Sequence, residues 1–225
     1  MQKMQQLDTG GRDPEATAAA DSPTGSWPQE PAISTPSSSG YIRYSRIANN
    51  ECANMLKPQD IVIIGKMLSK GDDNRAQSRI AAELQMSPSE VNSGMKRAVK
   101  SGLLRQEGSR YEPVKAAISE FLLHGLKYAF PAERGQPTRG LPTSYAAAPL
   151  NEHIAMGSDL PPVWPHPQGE TRGYELKPLY RSVPAAAKAD PMLYQFLAVA
   201  DALRDGAVRD KKIAEQALKV LLRKR

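Results

Sequence analysis

Polar and basic side chains recur over one short stretch of the chain, at Ser89, Asn92, Ser93, Lys96 and Arg97. Asn, Lys and Arg side chains can pair with base edges in the major groove of DNA, and short hydroxyls can reach its phosphates. Val91, Met95 and Ala98 recur among them at helical spacing, so a helix would bury these three and leave the polar set mainly on its outer side. The polar set is a candidate DNA-reading surface, and the alternative is an ordinary solvated helix face.

The helix that would carry these residues has a clear start signal. Ser87 can cap it, Pro88 suits its first position, and Glu90 can return a hydrogen bond to the cap backbone. The residue at position 102 is glycine, which favours a helix end, so the sequence predicts a helix over residues 87–102. Gly94 inside this helix costs about 1 kcal/mol relative to alanine.

Two shorter apolar patterns precede this helix, and a hairpin pattern follows it. A first helix is predicted to begin near Lys57-Pro58, and a second has an apolar face over residues 80–84. Residues 103–112 predict a β-hairpin with Gly108 in its turn. Three helices followed by a hairpin is the order of a winged helix-turn-helix domain, in which the hairpin is the wing.

Two arginines, Arg105 and Arg110, flank the predicted turn of the hairpin. On a wing they could meet a minor groove or the DNA backbone, whereas on an ordinary hairpin they would be exposed charges. We take them as candidate DNA contacts beside the five helix residues.

Helical patterns return at two later places. The pattern over residues 114–130 predicts a helix that is apolar on most of its faces. The side chains expected to face inward include Ile118, Leu122 and Ala129. Residues 190–225 predict a C-terminal helical segment of two helices. The domain that carries the hairpin is therefore expected to span residues 55–130.

The segment between these patterns, residues 131–189, is dense in proline and glycine yet holds large aromatic residues such as Trp164. This composition predicts a long irregular arm whose aromatic groups dock on the helical domain. Three Arg-Gly dipeptides lie in it, at Arg134-Gly135, Arg139-Gly140 and Arg172-Gly173. Their arginines could grip phosphate groups, or they could bond loop carbonyls and fix the arm.

Charge is distributed unevenly along the 225 residues. The chain carries +6, but residues 1–40 hold two basic and five acidic residues, which leaves +9 for residues 41–225. A basic excess of this size suits a polyanionic partner. The first forty residues are rich in Gly, Pro, Ser, Thr and Ala, so we predict a disordered tail over residues 1–54.

Several classes of protein are disfavoured by composition. The single cysteine, Cys52, cannot form an internal disulfide, and the three histidines are scattered, so we expect no metal site and no cofactor. No nucleophile and base pairing and no phosphate-binding loop is visible, so we do not expect an enzyme. No signal peptide and no apolar run of about 20 residues is visible, so we expect a cytoplasmic protein with no membrane partner.

The segments IAAELQMSPSEV, from Ile80 to Val91, and KRAVKSGLL, from Lys96 to Leu104, resemble bacterial transcriptional regulators of the MarR-like winged helix-turn-helix type. The match covers about a quarter of the chain. This resemblance implies a homodimer, a recognition helix near 87–102 and a wing near 105–110. It assigns groove contacts to the helix residues Ser89, Asn92, Ser93, Lys96 and Arg97.

We therefore expect a mainly α protein: a winged helix-turn-helix domain, a long Pro/Gly-rich arm and C-terminal helices. The expected function is sequence-specific DNA binding that regulates transcription, most simply repression by blocking a promoter. The expected partners are double-stranded DNA and a second copy of the chain. The alternative is a protein-interaction module, such as an antitoxin or adaptor, that holds a partner protein.

Overall fold

Three helices open the described part of the chain, and a hairpin follows them. The two hairpin strands pair antiparallel, with Glu107 opposite Arg110 beside the turn. Gly108 in that turn has a φ of +61°, a left-handed value that glycine adopts readily. These elements follow the predicted order. They are α1 (Pro58–Lys70), α2 (Gln77–Leu84), α3 (Pro88–Lys100), β1 (Leu104–Glu107) and β2 (Arg110–Pro113).

The computed structural model describes residues 55–70, 77–154, 159–206 and 208–223, which belong to one unit of the chain. The tail predicted over residues 1–54 lies outside the described residues.

A helical stretch with a π-helical turn comes next. It consists of α4 (Lys115–Glu120), the π turn Phe121–Gly125 and α5 (Leu126–Ala129). The backbone N–H of Leu126 donates to the carbonyl of Phe121, five residues back. A π turn winds fewer degrees per residue than an α turn, so Ile118, Leu122 and Leu126 share one buried face. The expectation that Ala129 faces inward is wrong, because this turn changes the phase of the helix and leaves Ala129 exposed.

Residues 131–189, predicted to form an irregular arm, instead contain strands and short helices. In chain order these are β3 (Arg134–Pro142), two 3₁₀ turns at Ser144–Ala146 and Leu150–Glu152, β4 (Pro162–Pro165), β5 (Thr171–Leu176) and α6 (Val183–Ala189). Trp164 on β4 is 1% exposed, so the expected docking of this aromatic residue on the rest of the domain is correct.

The three strands form a small closed sheet. Strand β3 pairs antiparallel with both β4 and β5, and β4 pairs parallel with β5, so each strand contacts the other two. Gly140 on β3 lies so close to the next strand that a Cβ there would overlap the Trp164 carbonyl. Glycine is therefore needed for this close approach. The glycine content that indicated an irregular arm reflects a tightly closed sheet.

Two long helices, α7 (Pro191–Asp205) and α8 (Val208–Arg223), complete the described chain. Asp190 caps α7 by accepting hydrogen bonds from the backbone N–H groups of Met192 and Leu193, both at 3.1 Å. Helix α7 packs against α1, α6 and α8. The apolar face predicted for it is buried, at Leu193, Phe196, Leu197, Ala200 and Leu203.

A buried cluster of charges joins α1, α2 and the start of α7. Lys66 donates to Asp190 at 2.7 Å, and its Nζ lies 2.8 Å from the carboxylate of Glu83. Ser69 donates to the same Asp190 oxygen at 2.7 Å. Burial opposes ionisation of Asp190, but the hydrogen bonds from Lys66 and Ser69 hold its pKa below the ordinary value.

A second buried carboxylate, Asp201 on α7, joins that helix to the closed sheet. It accepts hydrogen bonds from Trp164 Nε1 at 2.7 Å, Thr143 Oγ1 at 2.8 Å and Arg204 Nε at 2.8 Å. Burial raises the pKa of Asp201, and the Arg204 charge opposes that rise.

The described elements make a mainly helical fold that also contains small sheets, and their apolar side chains form one continuous core. Among the described helices, none combines the length and apolar character needed to cross a bilayer.

Candidate nucleic-acid interface

Helix α3 begins with the capping arrangement that its sequence predicts. Ser87 Oγ accepts a hydrogen bond from the Glu90 backbone N–H at 3.1 Å, and the Ser87 N–H donates to Glu90 Oε2 at 3.0 Å. The Glu90 carboxylate also accepts from Tyr180 Oη at 2.9 Å. Hydrogen bonds from the Ser87 backbone, its hydroxyl and Tyr180 hold the pKa of Glu90 below its usual 4.5. The first turn of α3 is therefore firmly fixed.

The two sides of α3 differ in burial. Val91, Met95 and Ala98 are buried against the core, as the spacing predicts. The opposite side exposes Ser89, Ser93 and Lys96, while Asn92 is half-buried beside them. Four of the five predicted helix residues thus lie together on an outward-facing polar strip with the chemistry to contact bases and phosphates.

Arg97, the fifth predicted residue, does not lie on the outer side of α3. It is 7% exposed and donates from Nε to Asp60 Oδ2 at 2.8 Å and from Nη2 to Asp60 Oδ1 at 2.6 Å. Asp60 is fully buried and also accepts from the Lys57 backbone N–H at 2.9 Å. The helical spacing places Arg97 near the boundary of the two faces, and the buried carboxylate on α1 draws its guanidinium inward.

Gly94 lies where α3 crosses α1. A Cβ at this position would stand 2.5 Å from Ile63 Cδ1 and 2.8 Å from Asp60 Oδ1. The glycine that weakens the helix prediction therefore permits close helix packing and leaves room for the Asp60–Arg97 pair.

The turn between α2 and α3 is held from both sides by residues far along the chain. Ser182 Oγ donates to the Leu84 carbonyl at the end of α2, and Tyr180 donates to Glu90 in the first turn of α3. Gln85 in the turn has a φ of +53°, in the left-handed region. The residues that follow the closed sheet thus fix the angle at which α3 is presented.

The hairpin places its two candidate arginines in different surroundings. Both are exposed, but Arg105 forms ion pairs with Glu107 and Glu112, each at 3.0 Å. The hydrogen bond to Glu112 and the Glu107 charge raise the pKa of Arg105. Within the described chain, Arg110 has no side-chain ion pair or hydrogen bond, so it is the better available cation of the hairpin.

Arg181 is an exposed cation beside α3 that the sequence alone does not predict there. Arg181 lies 5.8 Å from the centre of the Tyr180 ring, and its charge lowers the pKa of Glu90 in the first turn of α3. It is 91 positions after Glu90 in the chain, and no local motif marks it. Arg79 on α2 is also exposed, but it pairs with Glu83 at 3.1 Å.

Among residues 55–70, 77–154, 159–206 and 208–223, no group of three or more His, Cys, Asp or Glu side chains could hold a metal ion. No protein-family model, no curated protein and no solved structure matches the chain.

Proposed function

We propose that this chain is a sequence-specific DNA-binding transcriptional regulator of the winged helix-turn-helix type. The observation that carries the proposal is the outward strip of α3, at Ser89, Asn92, Ser93 and Lys96, on a helix whose other side is buried. A helix that is fixed on one side and polar on the other can enter a major groove without rearranging the core.

The hairpin supplies the second part of the proposal. It follows α3 directly and exposes Arg110, which would reach the DNA backbone or a minor groove as a wing. Arg105 contributes less, because Glu107 and Glu112 already neutralise it. The acidic side chains of the hairpin would be repelled by phosphates, so the wing would add less affinity than its two arginines alone would give.

Occupancy of a promoter by the bound protein would exclude polymerase, so repression in the cytoplasm is the simplest outcome. The resemblance of Ile80–Val91 and Lys96–Leu104 to MarR-type regulators favours a homodimer that reads two half-sites. Two half-sites about one helical turn apart would present both copies of α3 to one face of the duplex.

Fluorescence anisotropy tests this function directly. The full chain is titrated with labelled DNA from upstream of its own gene and with scrambled DNA of equal length, over a series of salt concentrations. We expect a preference of about 10³-fold or more for the upstream DNA. Lys96→Ala and Ser93→Ala should weaken that preference, and Lys219→Ala on the exposed side of α8 should not. Equal binding to both DNAs by the wild type would contradict the proposal.

A second candidate function is the capture of a partner protein. Tyr128 on α5 is 76% exposed, with the Lys127 ammonium 4.5 Å from its ring centre, and an exposed aromatic residue is a frequent interface anchor. Stoichiometric co-purification of a neighbouring gene product, abolished by Tyr128→Ala, would support this function. Antitoxins can also repress their own promoters, so both functions can coexist.

A further inference from the structure

Two arginines stand side by side on the closed sheet. Arg139 on β3 and Arg172 on β5 are direct partners in the antiparallel register, and both are exposed. Directly opposed residues of an antiparallel pair project from the same face, with Cβ atoms about 5 Å apart. The two guanidinium groups therefore occupy one patch of the surface.

The geometry of the sheet accounts for their outward direction. Side chains alternate between the two faces of a strand, so Gly140 and Gly173, the next residues, face the opposite way. A Cβ at Gly140 would overlap the Trp164 carbonyl, and one at Gly173 would overlap the Pro161 carbonyl. Only glycine fits at these two positions, and the arginines that precede them are left on the outer surface of the sheet.

The charge of this pair is not compensated within the described chain. Arg134, the arginine of the first Arg-Gly dipeptide, donates to Asp205 at 2.8 and 3.1 Å. Neither Arg139 nor Arg172 has an ion pair or side-chain hydrogen bond among the described residues. Like charges placed opposite each other on a sheet are destabilising, so a bound anion would relieve this arrangement.

The loop between β4 and β5 connects this pair to Lys188 through a chain of hydrogen bonds. The backbone N–H of His166 donates to the Arg139 carbonyl at 3.3 Å, and His166 Nδ1 accepts from the Gln168 N–H at 3.1 Å. Lys188 at the end of α6 donates to Gln168 Oε1 at 3.1 Å. Glu170 is the acidic neighbour in sequence, and no ion pair joins it to either arginine.

Helix α6 links this patch to the α2–α3 turn. Its seven residues begin after Ser182, which bonds Leu84, and Lys188 near its end bonds Gln168 in the loop between β4 and β5. Seven helical residues span about 10 Å, or roughly three base-pair steps of B-DNA. One duplex of ordinary operator length is long enough to meet both surfaces.

We propose that Arg139 and Arg172, assisted by Lys188, form a second DNA-binding surface that grips backbone phosphates beside the site read by α3. Guanidinium groups suit phosphodiester oxygens because their planar donors bond two oxygens at once. The inference rests on the proposed DNA binding, but it predicts contacts that are blind to sequence, whereas those of α3 discriminate between sequences.

The test compares Arg139→Gln, Arg172→Gln and their double variant with a control of equal charge change, Lys177→Gln/Lys219→Gln, at two exposed lysines. Anisotropy is measured with upstream and scrambled DNA over a salt series. Each lost phosphate contact should reduce the slope of log affinity against log salt by about 0.9. The double variant should therefore lose about 1.8 of slope on both DNAs, while the control keeps the wild-type slope.

The outcomes separate the two proposals. A wild-type slope in the double variant, with upstream DNA still preferred, would overturn the phosphate surface and leave the function of α3 intact. If the double variant has a reduced slope but the wild type shows no preference between the two DNAs, the phosphate surface is supported and the sequence-specific function is contradicted. Absence of any DNA binding would overturn both.

Two further measurements test whether the variants remain folded and whether the ligand is DNA or a free phosphate compound. Thermal unfolding of both single variants should show a Tm equal to or above that of the wild type, because each removes one of two facing cations. Calorimetric titration with inorganic pyrophosphate tests a free-phosphate ligand. Pyrophosphate binding that is lost in the double variant, together with an unchanged DNA slope, would overturn the assignment to DNA.

Discussion

Arg97 of α3 and Asp60 of α1 form a buried ion pair through two hydrogen bonds, of 2.6 and 2.8 Å. Removing the guanidinium leaves a fully buried carboxylate without its charge partner. We therefore expect Arg97→Ala to lower the free energy of unfolding by about 3–5 kcal/mol. Chemical denaturation measures this. Lys96→Ala, next to it but exposed, should change stability by less than about 0.5 kcal/mol. Equal effects of the two substitutions would contradict the buried pair.

Gly94→Ala should destabilise the protein, although the same change in most helix interiors stabilises by about 1 kcal/mol. The new methyl group would meet Ile63 Cδ1 at 2.5 Å and Asp60 Oδ1 at 2.8 Å. Overpacking of this kind costs about 1–3 kcal/mol. Ile63→Val removes the nearer atom, so adding it to Gly94→Ala should recover part of the loss. A double variant less stable than the sum of its singles would argue against this contact.

Acid should loosen the first turn of α3. Because the folded-state pKa of Glu90 lies below its usual 4.5, ionised Glu90 stabilises the fold above that pH. That stability is lost as the pH falls through the folded-state pKa. Glu90→Gln should therefore flatten the dependence of Tm on pH below 4.5. Tyr180→Phe, which removes one donor to Glu90, should flatten it in part, whereas Glu120→Gln on the exposed side of α4 should leave it unchanged.

Asp201→Asn should be among the costly single-atom changes in the molecule. Both oxygens of Asp201 accept hydrogen bonds, and an asparagine must turn its NH₂ group toward Arg204 or toward the donors of Trp164 and Thr143. Breaking this buried pair should cost about 3–5 kcal/mol. Denaturation followed by circular dichroism measures it, with the exposed Asp159→Asn as control. A loss below about 1 kcal/mol would show that the amide is accommodated.

The sequence predicts local features well where a single element determines them. The Ser87–Glu90 capping box, the buried side of α3 and the apolar face of α7 all follow from spacing over a few turns. Neighbouring residues alone supply these signals.

Features that depend on distant residues were missed. Arg97 could be placed correctly only with knowledge that the Asp60 carboxylate lies opposite it, 37 positions earlier. Arg181 reaches α3 through Tyr180, and the closed sheet of residues 134–176 uses glycine for close backbone approach rather than for turns. Alternating polarity, the usual strand signal, is interrupted there by Arg-Gly dipeptides and prolines, so the sequence alone predicts an irregular arm.

The Lys66–Asp190 hydrogen bond limits how this chain can be divided. Asp190 supplies the charge partner of a buried lysine on α1 and at the same time caps α7. A fragment that ends at residue 130 would keep Lys66 without that carboxylate and would lose the Tyr180 and Ser182 anchors of the α2–α3 turn. We expect such a fragment to be unfolded. Helix α3 is consequently not expected to keep its fold in isolation, and shortened forms or fusions of this protein should retain its C-terminal helices.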